Sequence, residues 1–131
     1  MNTATTGVKT GTITIASNSP DEPARIVNVT GTVVASNLAP VANAGPDGVV
    51  NDTDNSGGEG LTLNGAGSFD PDGIIVNYRW SEGAAVLSNG AAANPTVTLA
   101  QGVHTLTLTV TDNGSLTNSD TVVIRVNRPP T

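Results

Sequence analysis

Three carboxylates and one amide in this 131-residue chain stand where oxygen-ligand chemistry could be done. Asp70 and Asp72 flank a proline in Asp70-Pro71-Asp72-Gly73, Asp112 opens Asp112-Asn113-Gly114, and Asn37 begins Asn37-Leu38-Ala39-Pro40. Carboxylate and amide oxygens, completed by backbone carbonyls and water, supply the about six to eight ligands that Ca²⁺ takes. The same residues have a simpler use, because Asp and Asn side chains also accept hydrogen bonds from nearby turn amides. Both uses need these stretches to be loops. A second acidic stretch, 51–59, starts like a calcium loop but lacks the Glu that an EF-hand carries at its end and has no flanking helices. It reads as a solvated loop.

Little other chemistry is available. The chain has no Cys and one His, His104, so disulfides, thiolate catalysis and Cys/His zinc sites are excluded. No Ser or carboxylate constellation accompanies His104, which reads as a strand-end residue with a single hydrogen bond. Lys and Arg total 5 against 11 Asp and Glu, a net charge of −6, so nucleic acid has no basic patch to bind. No apolar run of about 18 residues is present to span a membrane as a helix. Charged residues make up only 12% of the chain, which argues against helical bundles and coiled coils, rich in Glu, Lys and Arg.

The elements that must hold the loops are strands, since hydrophobicity alternates with period two. In 12–15, Ile13 and Ile15 face one way and the threonines the other. Stretch 25–30 is partly apolar on both faces, and Leu61-Thr62-Leu63 alternates briefly. Ile74, Val76, Tyr78 and Trp80 share one face of the next strand, with Ile75, Asn77 and Arg79 opposite. The clearest run places His104, Leu106, Leu108 and Val110 inward and Thr105, Thr107, Thr109 and Thr111 outward. The last strand sets Val122, Ile124 and Val126 against Thr121, Val123 and Arg125. Five dipeptides, Asp47-Gly48, Asn64-Gly65, Asp72-Gly73, Asn89-Gly90 and Asn113-Gly114, offer residues tolerant of positive φ at reversals. Short strands with frequent turns predict an all-β, antiparallel Ig-like β-sandwich. In such a sandwich the start of the first strand, the B–C loop and the F–G loop share one end. That predicts Asn37, Asp70, Asp72 and Asp112 together in space.

The Asn-x-x-Pro pattern of 37–40 recurs at 127–130, a separation of 90 positions (37 to 127), about one Ig-like module. The expected organisation is a partial β segment of two strands over 1–36, a sandwich over 37–127, and a linker or new repeat from 128 to 131.

The ordered fragments Pro40-Val41-Ala42-Asn43-Ala44-Gly45, Leu61-Thr62-Leu63-Asn64-Gly65, Ser68-Phe69-Asp70-Pro71-Asp72-Gly73, Ile75-Val76-Asn77-Tyr78-Arg79-Trp80, Asn94-Pro95 and Leu106-Thr107-Leu108-Thr109-Val110-Thr111-Asp112-Asn113-Gly114 resemble the PKD (polycystin-type) family of Ig-like modules. The chain departs from that family after Trp80, where Ser81-Glu82-Gly83 replaces an Asp-Phe-Gly-Asp-Gly-like turn. Segment 11–32, with Ser17-Asn18-Ser19-Pro20-Asp21-Glu22-Pro23 at its centre, is similar to the closing strands of ASH/Hydin-like Ig domains. The PKD resemblance implies a non-enzymatic spacer or interaction module of a cell-surface or secreted protein, with adjacent Ig-like domains as its partners. Some PKD-like modules bind calcium at such positions, which points to Ca²⁺ at Asn37, Asp70, Asp72 and Asp112. Two further readings stand beside the spacer. The N-terminal strands could complete a neighbouring subunit's sheet in a filament, or the module could bind polysaccharide. Sugar binding is disfavoured by the presence of only three aromatic residues, with Trp80 and Tyr78 assigned to the core.

Overall fold

The computed structural model describes residues 7–15, 20–21 and 25–130, with the backbone alone at Ile15 and Arg25. Two units are present, Met1–Ser36 and Asn37–Thr131. Every described element is a strand.

The first unit is a hairpin of β1 (Gly7–Ile15) and β2 (Arg25–Val33), paired antiparallel. Its register puts Ile13 opposite Val27 and Gly11 opposite Val29 on one face; Thr10, Thr12, Asn28 and Thr30 line the other. Val8 and Ile26 fall on this second face, so apolar residues stand on both sides of the hairpin, as β2 alone suggests. The Ser17–Pro23 portion of the ASH/Hydin-like segment lies largely outside the described residues.

The second unit is a sandwich. Strands β3 (Gly48–Asn51), β9 (Thr117–Asn127), β8 (Gly102–Asp112), β5 (Ile75–Glu82) and β6 (Ala85–Gly90) form the large sheet in that order. Strands β4 (Gly58–Thr62) and β7 (Thr96–Ala100) form the small one. Alternation explains the core: Leu106, Leu108 and Val110 of β8 and Val122, Ile124 and Val126 of β9 are buried, while Thr107 and Thr109 on β8 and Val123 and Arg125 on β9 point outward between them. Trp80 joins them from β5, and Leu63, Val97 and Leu99 close the core from the small sheet. Gly65 sits where a Cβ would lie 2.8 Å from the Ala93 carbonyl and 3.1 Å from Leu108, so only glycine fits against the core there.

Three details differ from the sequence reading. First, β3 pairs parallel with β9, so the sandwich is not wholly antiparallel. Asp47 accepts from Val123 N (2.7 Å) at the start of this pair, and Asp52 N donates to Asn127 O (3.0 Å) at its end. Second, β5 carries a bulge between Ile75 and Asn77. One extra residue inverts the faces beyond it; Ile75, Tyr78 and Trp80 face the core, while Ile74 and Val76 are exposed. Third, none of the five Asx-Gly dipeptides adopts positive φ. The left-handed positions within the sandwich's turns are Gly45, Asn55, Gly57, Gly83 and Ser115. Asn89-Gly90 ends β6, and the β5–β6 reversal is the two-residue turn Gly83-Ala84, with Gly83 at φ 54°. Glycine at the first central position is the type II′ pattern, so Ser81-Glu82-Gly83 still makes a tight hairpin.

Candidate metal centre

The β5 start, the β8–β9 turn and the incoming segment at 37–40 meet at one end of the sandwich. Asp112, 1% exposed, organises it. Its Oδ1 accepts from Gly114 N (2.8 Å) and Leu116 N (2.9 Å), and its Oδ2 accepts from Asn37 Nδ2 (2.9 Å). The turn closes with Asp112 N to Leu116 O (3.0 Å) and the left-handed Ser115. Asn37 packs so closely on Gly114 that a Cβ there would collide with its amide. Exposed Asp72 receives Leu38 N on both carboxylate oxygens, at 3.2 and 3.1 Å. Asp112 and Asp72 thus do what turn carboxylates do, and together they moor the incoming chain.

Asp70 differs. Its Oδ1 accepts from Asp72 N (3.3 Å), but its Oδ2 is buried and has no hydrogen-bond partner. Gly73 faces it: a Cβ would lie 2.6 Å from that oxygen and against Asn113 Oδ1. Two side-chain oxygens, one anionic, converge on a place kept clear by glycine. Asn113 Oδ1 also accepts from Ile74 N (3.3 Å). In the sequence Asn113 reads as a turn residue; its direction toward Gly73 depends on how loops 70–74 and 112–116 pack, which spacing does not reveal. Asn37 presents Nδ2 to Asp112, so its Oδ1 would become a ligand only after a half-turn of the amide.

The group of three acidic ligand atoms that approach within 4.8 Å of one another lies elsewhere, at Asp52, Asp54 and Glu59. Asp70, Asp72 and Asp112 do not close to that spacing. The 51–59 stretch is a largely exposed loop, as expected, but Asp52 near its start is fully buried. Asp52 accepts from Ser56 N (3.1 Å), Gly57 N (2.8 Å) and Gln101 Nε2 (2.7 Å). Asp54 takes Ser56 N (3.0 Å) and Glu59 takes Thr53 N (3.1 Å). Burial opposes ionisation of Asp52, but the hydrogen bonds donated by Gln101, Gly57 and Ser56 outweigh it and hold its carboxyl below the usual value. Each of these carboxylates accepts at least one backbone amide of the loop.

His104 has two partners rather than one. Nδ1 lies 2.9 and 3.1 Å from the Glu82 carboxylate oxygens, and Nε2 lies 2.8 Å from Ala100 O. Burial alone would lower its pKa; the Glu82 and Ala100 hydrogen bonds and the Glu82 charge raise it instead. No nucleophile is among these contacts. Trp80 is fully buried, Tyr78 packs on the core, and Phe69 is 56% exposed.

Residues 44–126 match the family described as K319L-like, PKD domain. The PKD1 domain of Vibrio anguillarum Epp is 30% identical over 72% of this chain and all of its own, with a TM-score of 0.51. The PKD domain from KIAA 1837 protein is 30% identical over 77% of this chain and 98% of its own, with a TM-score of 0.54. A structure titled for promiscuous carbohydrate-binding modules of the β-sandwich superfamily is 30% identical over 72% of this chain and 36% of its own, with a TM-score of 0.52. Among curated proteins no sequence matches. A sandwich of this order, a buried strand tryptophan and a family match over most of its second unit establish that the chain belongs to the PKD-domain family.

Proposed function

We propose that the chain is a non-catalytic spacer and interaction module of a cell-surface or secreted protein, with a calcium-stiffened joint where the polypeptide enters the sandwich. The observation that carries the spacer reading is the placement of the points where the chain enters and leaves the sandwich. Asn37 is bonded to Asp112 at one end of β8, while Val126 pairs with Gly102 at the other. Ten residue steps of strand separate these points, roughly 33 Å. A module that takes in the chain at one end and releases it at the other sets its neighbours a fixed distance apart. Spin labels at Leu38 and Arg128 are expected to give one narrow distance distribution near that length; a broad or short distribution overturns the spacer.

Calcium at the incoming end fits the unpartnered Asp70 Oδ2, since a buried anionic oxygen without a donor needs a counter-charge. Asp70, Asn113 and a turned Asn37 would supply oxygens, with Asp72 and Asp112 adding negative charge. A thermal melt in calcium against EDTA tests this, because a ligand bound only to the folded state raises its stability. The midpoint is expected to rise in calcium and to lose that rise in Asp70→Asn; an unchanged midpoint removes the ion.

A second reading, assembly through the N-terminal hairpin, is favoured by the exposure of Ile13, Val27 and Val29 on one of its faces and of Val8 and Ile26 on the other. A two-stranded sheet does not bury such a face by itself. Concentration-dependent sedimentation is expected if neighbouring subunits cover it, and a monomer at high concentration excludes it. Binding to polysaccharide has exposed Phe69 and the likeness to carbohydrate-binding modules in its support; a glycan array with Phe69→Ala as control decides it.

A further inference from the structure

The end from which the chain leaves the sandwich contains its one histidine, joined to that exit by hydrogen bonds and the Ala100-Gln101 backbone between them. His104 lies at the start of β8 with its side chain 14% exposed. Its Nδ1 meets both Glu82 oxygens from β5, and its Nε2 meets Ala100 O at the end of β7. The next residue, Gln101, forms the β7–β8 turn: its N donates to Gly57 O (3.0 Å) and its Nε2 to Asp52 Oδ2 (2.7 Å). Asp52 N donates to Asn127 O, the last strand residue before the outgoing segment. Opposite His104 on β9 stands Ile124. Among the described residues, Glu82 is the charged group bonded to the ring; Asp52 reaches it only through Gln101 and Ala100.

Both atoms facing the ring nitrogens are acceptors. A neutral imidazole carries one N–H and can satisfy only one of them, whereas the imidazolium satisfies both. On deprotonation the remaining proton belongs on Nδ1, where the bond to Glu82 is charge-assisted. The Nε2 lone pair then faces the Ala100 carbonyl oxygen, a repulsive contact. The turn, rather than the β5 contact, is what lets go.

We propose that His104 is a proton-operated clasp on the β7–β8 turn, which when protonated holds the turn, and through Gln101 the Asp52 loop and the outgoing chain, in one arrangement and when neutral releases it. The clasp makes the stiffness of this junction a function of pH. The raised pKa agrees in sign. A group whose folded value is raised stabilises fully below its unfolded value, near 6.5. It loses that contribution as pH rises through the folded value.

The test uses the full chain and needs no ring assignment, because it contains a single histidine. Proton–nitrogen spectra from pH 5 to 9 are expected to show the ring titrating above 6.5, with the Gln101, Gly57 and Asn127 amides moving at the same midpoint. Once corrected for intrinsic exchange, protection of the Gln101 amide should fall about fivefold across that transition, the loss of roughly one hydrogen bond. Glu82→Gln should lower the midpoint of ring and amides together, and His104→Gln should abolish the amide titration. A ring midpoint at or below 6.5 overturns the clasp. So do Gln101 and Gly57 amides that stay still while the ring titrates. If His104→Gln fails to fold, the wild-type and Glu82→Gln titrations decide alone.

Discussion

The two ends of the sandwich use the same residue type in opposite ways. At the outgoing end Asp52 is buried and receives three donors from Ser56, Gly57 and Gln101, so its charge is matched by the loop it organises. At the incoming end Asp112 is equally buried and equally satisfied, but Asp70 beside it holds a buried oxygen with no donor. Proximity of acids therefore does not mark a metal site. The acidic group that comes closest together, Asp52 with Asp54 and Glu59, has at least one oxygen of each carboxylate bonded to a backbone amide. The better candidate is the place where an anionic oxygen has been desolvated without compensation.

Alanine substitution gives the largest expected contrast. Asp112→Ala leaves Gly114 N, Leu116 N and Asn37 Nδ2 unpaired and is expected to cost about 3 kcal/mol in denaturant unfolding, calcium absent. Asp52→Ala should fall in the same direction for the same reason. Asp70→Ala, by contrast, removes a buried charge with one weak bond, so in EDTA it should be neutral or stabilising. A destabilisation by Asp70→Ala as large as that of Asp112→Ala would erase the distinction between them.

Calcium should invert that order. At a concentration about 100 times its Kd the ion would add about 2.7 kcal/mol to the wild type. Asp70→Ala would lose this and Asp52→Ala would keep it. Gly73→Ala sharpens the point, because its methyl would occupy the place between Asp70 Oδ2 and Asn113 Oδ1. It should abolish the calcium response more completely than it lowers stability in EDTA. Calcium retained by Asp70→Ala and lost by Asp52→Ala would move the site to the other end.

The strands were legible because alternation over β8 and β9 is long and unbroken, and Val103 to Val110 could be assigned to faces residue by residue. The β5 faces were not, since a bulge inserts one residue without changing composition. Nor was β3: four residues, Gly48-Val49-Val50-Asn51, carry too short a pattern, and their parallel pairing depends on Asp47 reaching β9 across 76 positions. At the candidate site, sandwich topology brings Asn37 to Asp112, as loop order predicts. The orphaned Asp70 oxygen, Asn113 and the buried role of Asp52 emerge only from packing. Asp-Gly and Asn-Gly pairs lie in loops at several places, yet positive φ fell elsewhere, on Ser115 beside Asn113-Gly114 and on Gly83, which adjoins none of them.

Acid should separate the ends more gently. A carboxylate whose folded pKa is depressed contributes stability above its unfolded value, near 3.8 for Asp52, and loses it as pH falls through the folded value. Wild-type stability should therefore fall below pH 4 more steeply than that of Asp52→Asn, measured by denaturant midpoints from pH 5 to 2. Equal slopes would mean that Asp52 gains nothing from its three donors.

The smallest effect belongs to the mooring of the incoming chain. Asp72 is exposed and shares Leu38 N between its two oxygens at 3.2 and 3.1 Å, so water competes for both partners. Asp72→Ala should cost about 0.5 kcal/mol or less in global stability. The local consequence is larger than the global one, because Leu38 N has this carboxylate as its acceptor while Asn37 is held separately by Asp112. Exchange at the Leu38 amide should accelerate in Asp72→Ala with exchange in β8 unchanged. If calcium recruits Asp72, the ion should slow that same amide in the wild type and leave the variant unaffected. Equal exchange in wild type and variant would show that the incoming chain is moored by Asn37 alone, leaving a joint with one anchor instead of two.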